Sequence, residues 1–109
     1  MIMADNVLSG ESFFIYLTID GTDFEDVEVR VTRPDLPIRE QIRRIIDVFK
    51  LRKTDNFGNF IPYLLGQVTE DEVEPIILES EDELGNSQSL LDYQIKSGDA
   101  LVLTVLPYL

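Results

Sequence analysis

The chain has 109 residues, 44% of them apolar, with a formal net charge of −12 and no histidine, cysteine or tryptophan. That length supports one domain with a core of modest depth, and the apolar fraction is enough to fold it despite the charge. The missing residue types exclude a disulfide framework, a thiolate nucleophile, a zinc–thiolate site and an imidazole base or ligand.

Charge is unevenly spread. Residues 1–29 hold seven acids and no base, residues 30–53 eight bases and three acids, and residues 54–109 eleven acids and one base. So acidic a chain is a poor partner for nucleic acid, where affinity comes from neutralising phosphates. Its longest apolar runs are strand-sized, well short of the ~20 residues of a membrane helix, so membrane insertion is not expected. The N-terminal Met1-Ile2-Met3-Ala4-Asp5-Asn6 lacks a basic region followed by an apolar one, unlike a secretory signal. The expectation is a cytoplasmic protein with a flexible tail over 1–12 and one domain over 13–109.

In chain order, Phe13-Phe14-Ile15-Tyr16-Leu17-Thr18-Ile19 puts Phe13, Ile15, Leu17 and Ile19 on one face of a strand and Phe14, Tyr16 and Thr18 on the other. Asp20-Gly21-Thr22-Asp23 supplies turn chemistry, and Val27-Glu28-Val29-Arg30-Val31 alternates three valines with two charges, so the two segments read as an antiparallel hairpin. Pro34 and Pro37 stop the strand. Pro37 suits the first position of a helix, where its missing N–H costs nothing. Ile38, Ile42, Ile45, Ile46 and Phe49 then form one apolar stripe, predicting an amphipathic helix over 37–50. Arg39, Arg43 and Arg44 lie on its polar side, and Glu40 precedes Arg44 in the favourable i,i+4 order.

Residues 53–59 read as a loop. Phe60-Ile61-Pro62-Tyr63-Leu64-Leu65 follows as a strand that must lie on an edge or begin after Pro62, which cannot donate to a ladder. An acidic connection, Glu70-Asp71-Glu72-Val73-Glu74, leads to a short strand at 75–79 and a turn at Glu83-Leu84-Gly85-Asn86. The chain closes on the strand Leu101-Val102-Leu103-Thr104-Val105. No internal repeat is apparent. Five strand segments and one helix with a single apolar stripe imply an α+β domain, a mixed four- to five-stranded sheet with the helix packed on one face.

Leu90-Leu91-Asp92-Tyr93-Gln94-Ile95, the turn at Gly98-Asp99 and the strand at 101–105 resemble the closing segment of ubiquitin and ubiquitin-like β-grasp proteins. The resemblance implies that the leucines and isoleucine plug the bottom of the core, that the tyrosine hydroxyl ties the loop, and that the last strand is central. With Ile15-Tyr16-Leu17-Thr18-Ile19-Asp20, Pro37-Ile38-Arg39 and Ile95-Lys96-Ser97-Gly98-Asp99-Ala100-Leu101, the chain looks like the small YukD/EsaB-like ubiquitin-like proteins of type VII secretion loci. Its region 67–88 is longer than that family usually carries, and residues 1–12 are extra. The ending Leu106-Pro107-Tyr108-Leu109 departs from the flexible Gly-Gly tail of conjugated modifiers, and covalent conjugation is therefore the alternative rather than the expectation.

The acidic clusters at 70–74 and 79–83 do not match a calcium loop. Counting from Glu79, Leu84 stands where glycine is needed and Leu90 where the bidentate glutamate is needed. No nucleophile elbow, phosphate loop or cofactor motif accompanies the acids, so neither an enzyme nor a cofactor is expected. If Ile15, Leu17, Leu101 and Leu103 face the helix, then Phe14, Tyr16, Val102, Thr104 and Leu106 face away and form the candidate partner-binding surface. Two expectations compete there: this face binds a protein, or region 67–88 folds over it. Arg39, Arg43 and Arg44 form a secondary basic face. The expected function is a non-catalytic protein-interaction module, an accessory component of a bacterial secretion or related multiprotein machine, with weak self-association left open.

Overall fold

A computed structural model describes residues 13–105. Its elements are β1 (Phe13–Ile19), β2 (Val27–Val31), α1 (Ile38–Val48), β3 (Tyr63–Val68), β4 (Ile76–Ile77) and β5 (Ala100–Val105). They build one sheet in the order β2-β1-β5-β3-β4. β1 and β5 run parallel, and every other pairing is antiparallel. The last strand is therefore central, as the closing-segment resemblance implies.

The β1–β2 hairpin pairs Phe13 with Val31 and Leu17 with Val27. Its connection is held by Thr22, whose hydroxyl donates to the Ile19 carbonyl at 2.7 Å, and by the Asp26 amide donating to Thr18 Oγ1 at 3.0 Å. β3 starts directly after Pro62, so the proline terminates pairing instead of interrupting it. It is covered on its far side by β4, which is only two residues long.

The helix is shorter than the 37–50 its periodicity suggests. Pro37 sits at the cap, not inside the first turn, and its carbonyl accepts from the Glu40 and Gln41 amides at 2.9 and 3.1 Å. The Ile38 amide, one of the donors a helix start leaves unpaired, donates to the Gln88 carbonyl at 2.9 Å. At the other end Lys50 takes a left-handed φ of +56°, and the Leu51 amide closes back on the Ile46 carbonyl at 2.9 Å. That closure ends the helix at Val48, two residues before the predicted end at 50.

Ile38 is fully buried, while Ile42, Ile45 and Phe49 are half-buried against the core formed by Ile15, Leu17, Ile19, Leu65, Leu101 and Leu103. Ile46, expected in the same core, instead lines a surface depression with Phe60 and Ile61. Gln41 replaces it as the unexpected buried residue at 6% exposure, donating through Nε2 to the Arg33 carbonyl at 2.6 Å. That bond moors the helix to the chain leaving β2.

Residues 88–99 plug the end of the core. Leu90 and Ile95 are buried at 1% and 3% exposure, and the Tyr93 hydroxyl donates to the Glu79 carbonyl at 2.9 Å. The Gly98 amide donates to the Phe14 carbonyl at 2.9 Å and the Tyr16 amide to the Asp99 carbonyl at 3.0 Å, which sets the parallel register of β5 against β1. Among the described residues no helix is long and apolar enough to cross a membrane.

Candidate interaction surfaces

Because paired residues in a sheet share a face, the register assigns the surface opposite the helix without ambiguity. β1 contributes Phe14, Tyr16 and Thr18, which lie beside Ala100 and Val102 of β5. β3 adds Leu64 opposite Thr104, Gly66 opposite Val102 and Val68 opposite Ala100. Phe14, Tyr16, Val102 and Thr104 thus share one face, as alternation predicts. Leu106 lies outside the described residues.

Exposure divides this group. Phe14 and Tyr16 are 38% and 41% exposed, Thr104 is half-buried, and Val102 is only 6% exposed. Val102 can therefore release little further apolar surface on binding, and desolvation falls to the two aromatic rings and to Val68, which is 47% exposed. Arg30 on β2 places its guanidinium carbon 4.7 Å from the Phe14 ring centre, a cation–π contact that fixes one border of the patch.

Leu64 and Val68 escape the sequence argument because β3 begins later than its apolar run and its facing parity follows only from the pairing with β5. Region 67–88 closes on the outer face around Gly66, which pairs with Ile77 of β4. A Cβ on Gly66 would stand 2.9 Å from the Pro75 Cβ, so the missing side chain is what lets Pro75 close over the strand beside Val102. The acidic residues before it stay in solvent, with Val73 fully exposed, and the segment leaves Phe14 and Tyr16 uncovered.

The basic face is arranged differently from its sequence spacing. Glu40 pairs with Arg43 at 2.7 Å, one position short of the expected Arg44. Arg44 instead donates to Thr32 Oγ1 at 3.2 Å. Arg39 pairs with Glu81 at 3.6 Å, joining the helix to the acidic segment. All three arginines are exposed, and such pairs contribute little, about 0–1 kcal/mol each.

Two loops share a short local pattern. Asp55-Asn56-Phe57-Gly58-Asn59 and Asp82-Glu83-Leu84-Gly85-Asn86 share the pattern Asp-x-apolar-Gly-Asn. Asp55 Oδ1 accepts from the Phe57 and Asn59 amides at 2.8 and 3.0 Å, and Asp82 Oδ1 from the Leu84 and Asn86 amides at 2.9 and 2.8 Å. The glycines adopt φ of +85° and +84°, and the flanks close in the bridges Thr54↔Phe60 and Glu81↔Ser87. Backbone amides donated to each carboxylate, foremost those of Asn59 and Asn86, hold both aspartates below the ordinary value.

No protein-family model matches the sequence, and no curated protein matches it. Among solved structures, the chain is similar to the C-terminal ubiquitin-like domain of mouse tubulin-specific chaperone e, with a TM-score of 0.63 over 96% of this chain and 97% of that one. The fold is a ubiquitin-like β-grasp. Sequence identity over that match is 14%, so the likeness concerns the fold alone.

Proposed function

We propose that this β-grasp domain is a non-catalytic protein-interaction module that engages its partner through the outer sheet face. The supporting observation is the pair of half-exposed rings, Phe14 and Tyr16, held on adjacent outward positions of a strand whose other face is locked into the core. Large aromatic side chains on a rigid element make efficient anchors, because little side-chain freedom remains to be lost on binding. The finer reading, an accessory component of a cytoplasmic multiprotein machine such as a bacterial secretion apparatus, rests on the sequence motifs alone.

The test is affinity purification from native lysate with three baits: the unaltered chain, Tyr16→Ala, and the triple Arg39→Ala, Arg43→Ala, Arg44→Ala variant. A specific partner should be recovered by the first and third and lost at least tenfold with Tyr16→Ala, with little response to salt. A complex indifferent to Tyr16→Ala but lost with the arginines would move the site to the helix.

A further inference from the structure

The helix does not fill the inner face of the sheet completely. β2 turns only valines toward it, and between them and α1 lies a cavity of about 370 Å³. Val29, Ile45 and Phe49 form its walls, and Leu65, Leu90 and Leu101, each 1% exposed, form its floor. Phe49 is held in place by an edge-to-face contact with Phe24, the ring centres 4.8 Å apart. The cavity begins beside the edge strand β2 and ends against Leu65 of β3, three strand spacings or roughly 14 Å inward. A cavity of about 150 Å³ with such a lining takes up a benzene ring, so this one has room for roughly ten to fifteen apolar carbons.

The polar residues around it are mostly engaged elsewhere. Gln41 donates to the Arg33 carbonyl at 2.6 Å, Asp47 pairs with Lys53 at 3.2 Å, and Arg30 lies over the Phe14 ring on the other face of the sheet. Arg44 differs. Arg39 and Arg43 are paired with Glu81 and Glu40, but Arg44 makes one hydrogen bond, to Thr32 Oγ1 at 3.2 Å. Its charge also reaches Asp35, yet that carboxylate already takes two hydrogen bonds of 2.9 Å from Arg33. Most of the five donors of the Arg44 guanidinium are thus left for a ligand at the rim of the cavity.

We propose that this cavity binds a medium-chain carboxylate, its alkyl tail beneath α1 and its head group on Arg44 and Thr32. The apolar lining leaves the tail nothing polar to desolvate, and the planar guanidinium matches a carboxylate with two parallel hydrogen bonds. A space that runs this far under the helix suits an unbranched tail better than a side chain offered by a partner protein, which reaches only the mouth. The site lies on the sheet face opposite Phe14 and Tyr16, so it stands or falls independently of the partner surface.

The test is NMR titration of the full, methyl-labelled chain with decanoate, decan-1-ol and acetate. Decanoate should shift the methyl signals of Val29, Ile45 and Val48 saturably and bind at least tenfold more tightly than decan-1-ol. Acetate, a head group without a tail, should shift none of them. Arg44→Gln, at an exposed position, should bring decanoate down to the level of the alcohol and leave the alcohol unchanged. Val29→Phe should fill the space and weaken both at least tenfold, its amide spectrum showing that it folds, and the Arg44→Gln comparison stands without it. Tyr16→Ala should change neither. The proposal is overturned if decanoate moves no cavity methyl, if it moves only signals of the outer sheet face, or if it keeps its advantage over the alcohol in Arg44→Gln. Shifts of the same methyls on concentrating the protein without ligand would assign the cavity to a second copy of the chain and overturn it as well.

Discussion

The two faces of the same strands carry similar residues to different ends. On the helix side Leu17, Leu101 and Leu103 are 0–1% exposed, whereas on the other side of β1 Phe14 and Tyr16 remain 38% and 41% exposed. Nothing in side-chain chemistry separates a leucine from a phenylalanine so sharply. The difference is the single helix, which can cover one face only, so the inner apolar residues stabilise the fold and the outer ones remain available for recognition.

The sharpest way to break this distinction is to truncate one residue on each face. Leu17→Ala should cost about 2–5 kcal/mol through lost burial and the cavity left behind. Tyr16→Ala, one position away, should cost about 1 kcal/mol or less, in line with a half-exposed cross-strand pair. Urea denaturation of both variants decides it, and equal losses would mean that the outer face is structural.

Gly66 marks where the distinction fails, because there the outer face is already closed by Pro75. Gly66→Ala would push a methyl group to 2.9 Å from the Pro75 Cβ, so Pro75 and the two-residue β4 must shift. Overpacking of this kind costs about 1–3 kcal/mol, and the lower half is expected because β4 lies at the sheet edge. Unchanged stability, with unchanged amide shifts at Ile76 and Ile77, would show that Pro75 does not hold that edge.

Much of this fold is legible in the chain because each element carries a period that survives folding. The alternation of β1 and β2, the stripe of α1 and the apolar closing strand give the sheet and the helix, and the resemblance of the closing segment gives the central position of β5. The outer face follows from parity, except for Leu64 and Val68, whose facing depends on the distant partners Thr104 and Ala100 in β5. Val102 shows the limit of parity: it fixes direction but not burial, which Pro75 and the neighbouring strands decide in three dimensions. The paired loops are hidden for another reason. Five residues with two variable positions make too weak a pattern to notice, until both aspartates are seen to accept the same two amides.

The loops extend the comparison to acid. Besides Gln41 and Ser89, the buried set among the described residues is apolar, so the core itself has nothing to titrate. The loops, in contrast, are closed by ionised aspartates. Asp55 and Asp82 are depressed chiefly by hydrogen bonds from the Asn59 and Asn86 amides, so each contributes stability above its unfolded value, near 3.9. That contribution is lost as pH falls through the depressed folded value, because protonation weakens the acceptor that the amides need. Between neutral pH and about 4 both loops should therefore hold, and below it their amides should release while those of β5 stay protected. Amide shifts of Phe57, Asn59, Leu84 and Asn86 followed by NMR would give the two midpoints, and Asp55→Asn should remove the first transition alone. Midpoints at the ordinary aspartate value would show that the carboxylates do not close the loops.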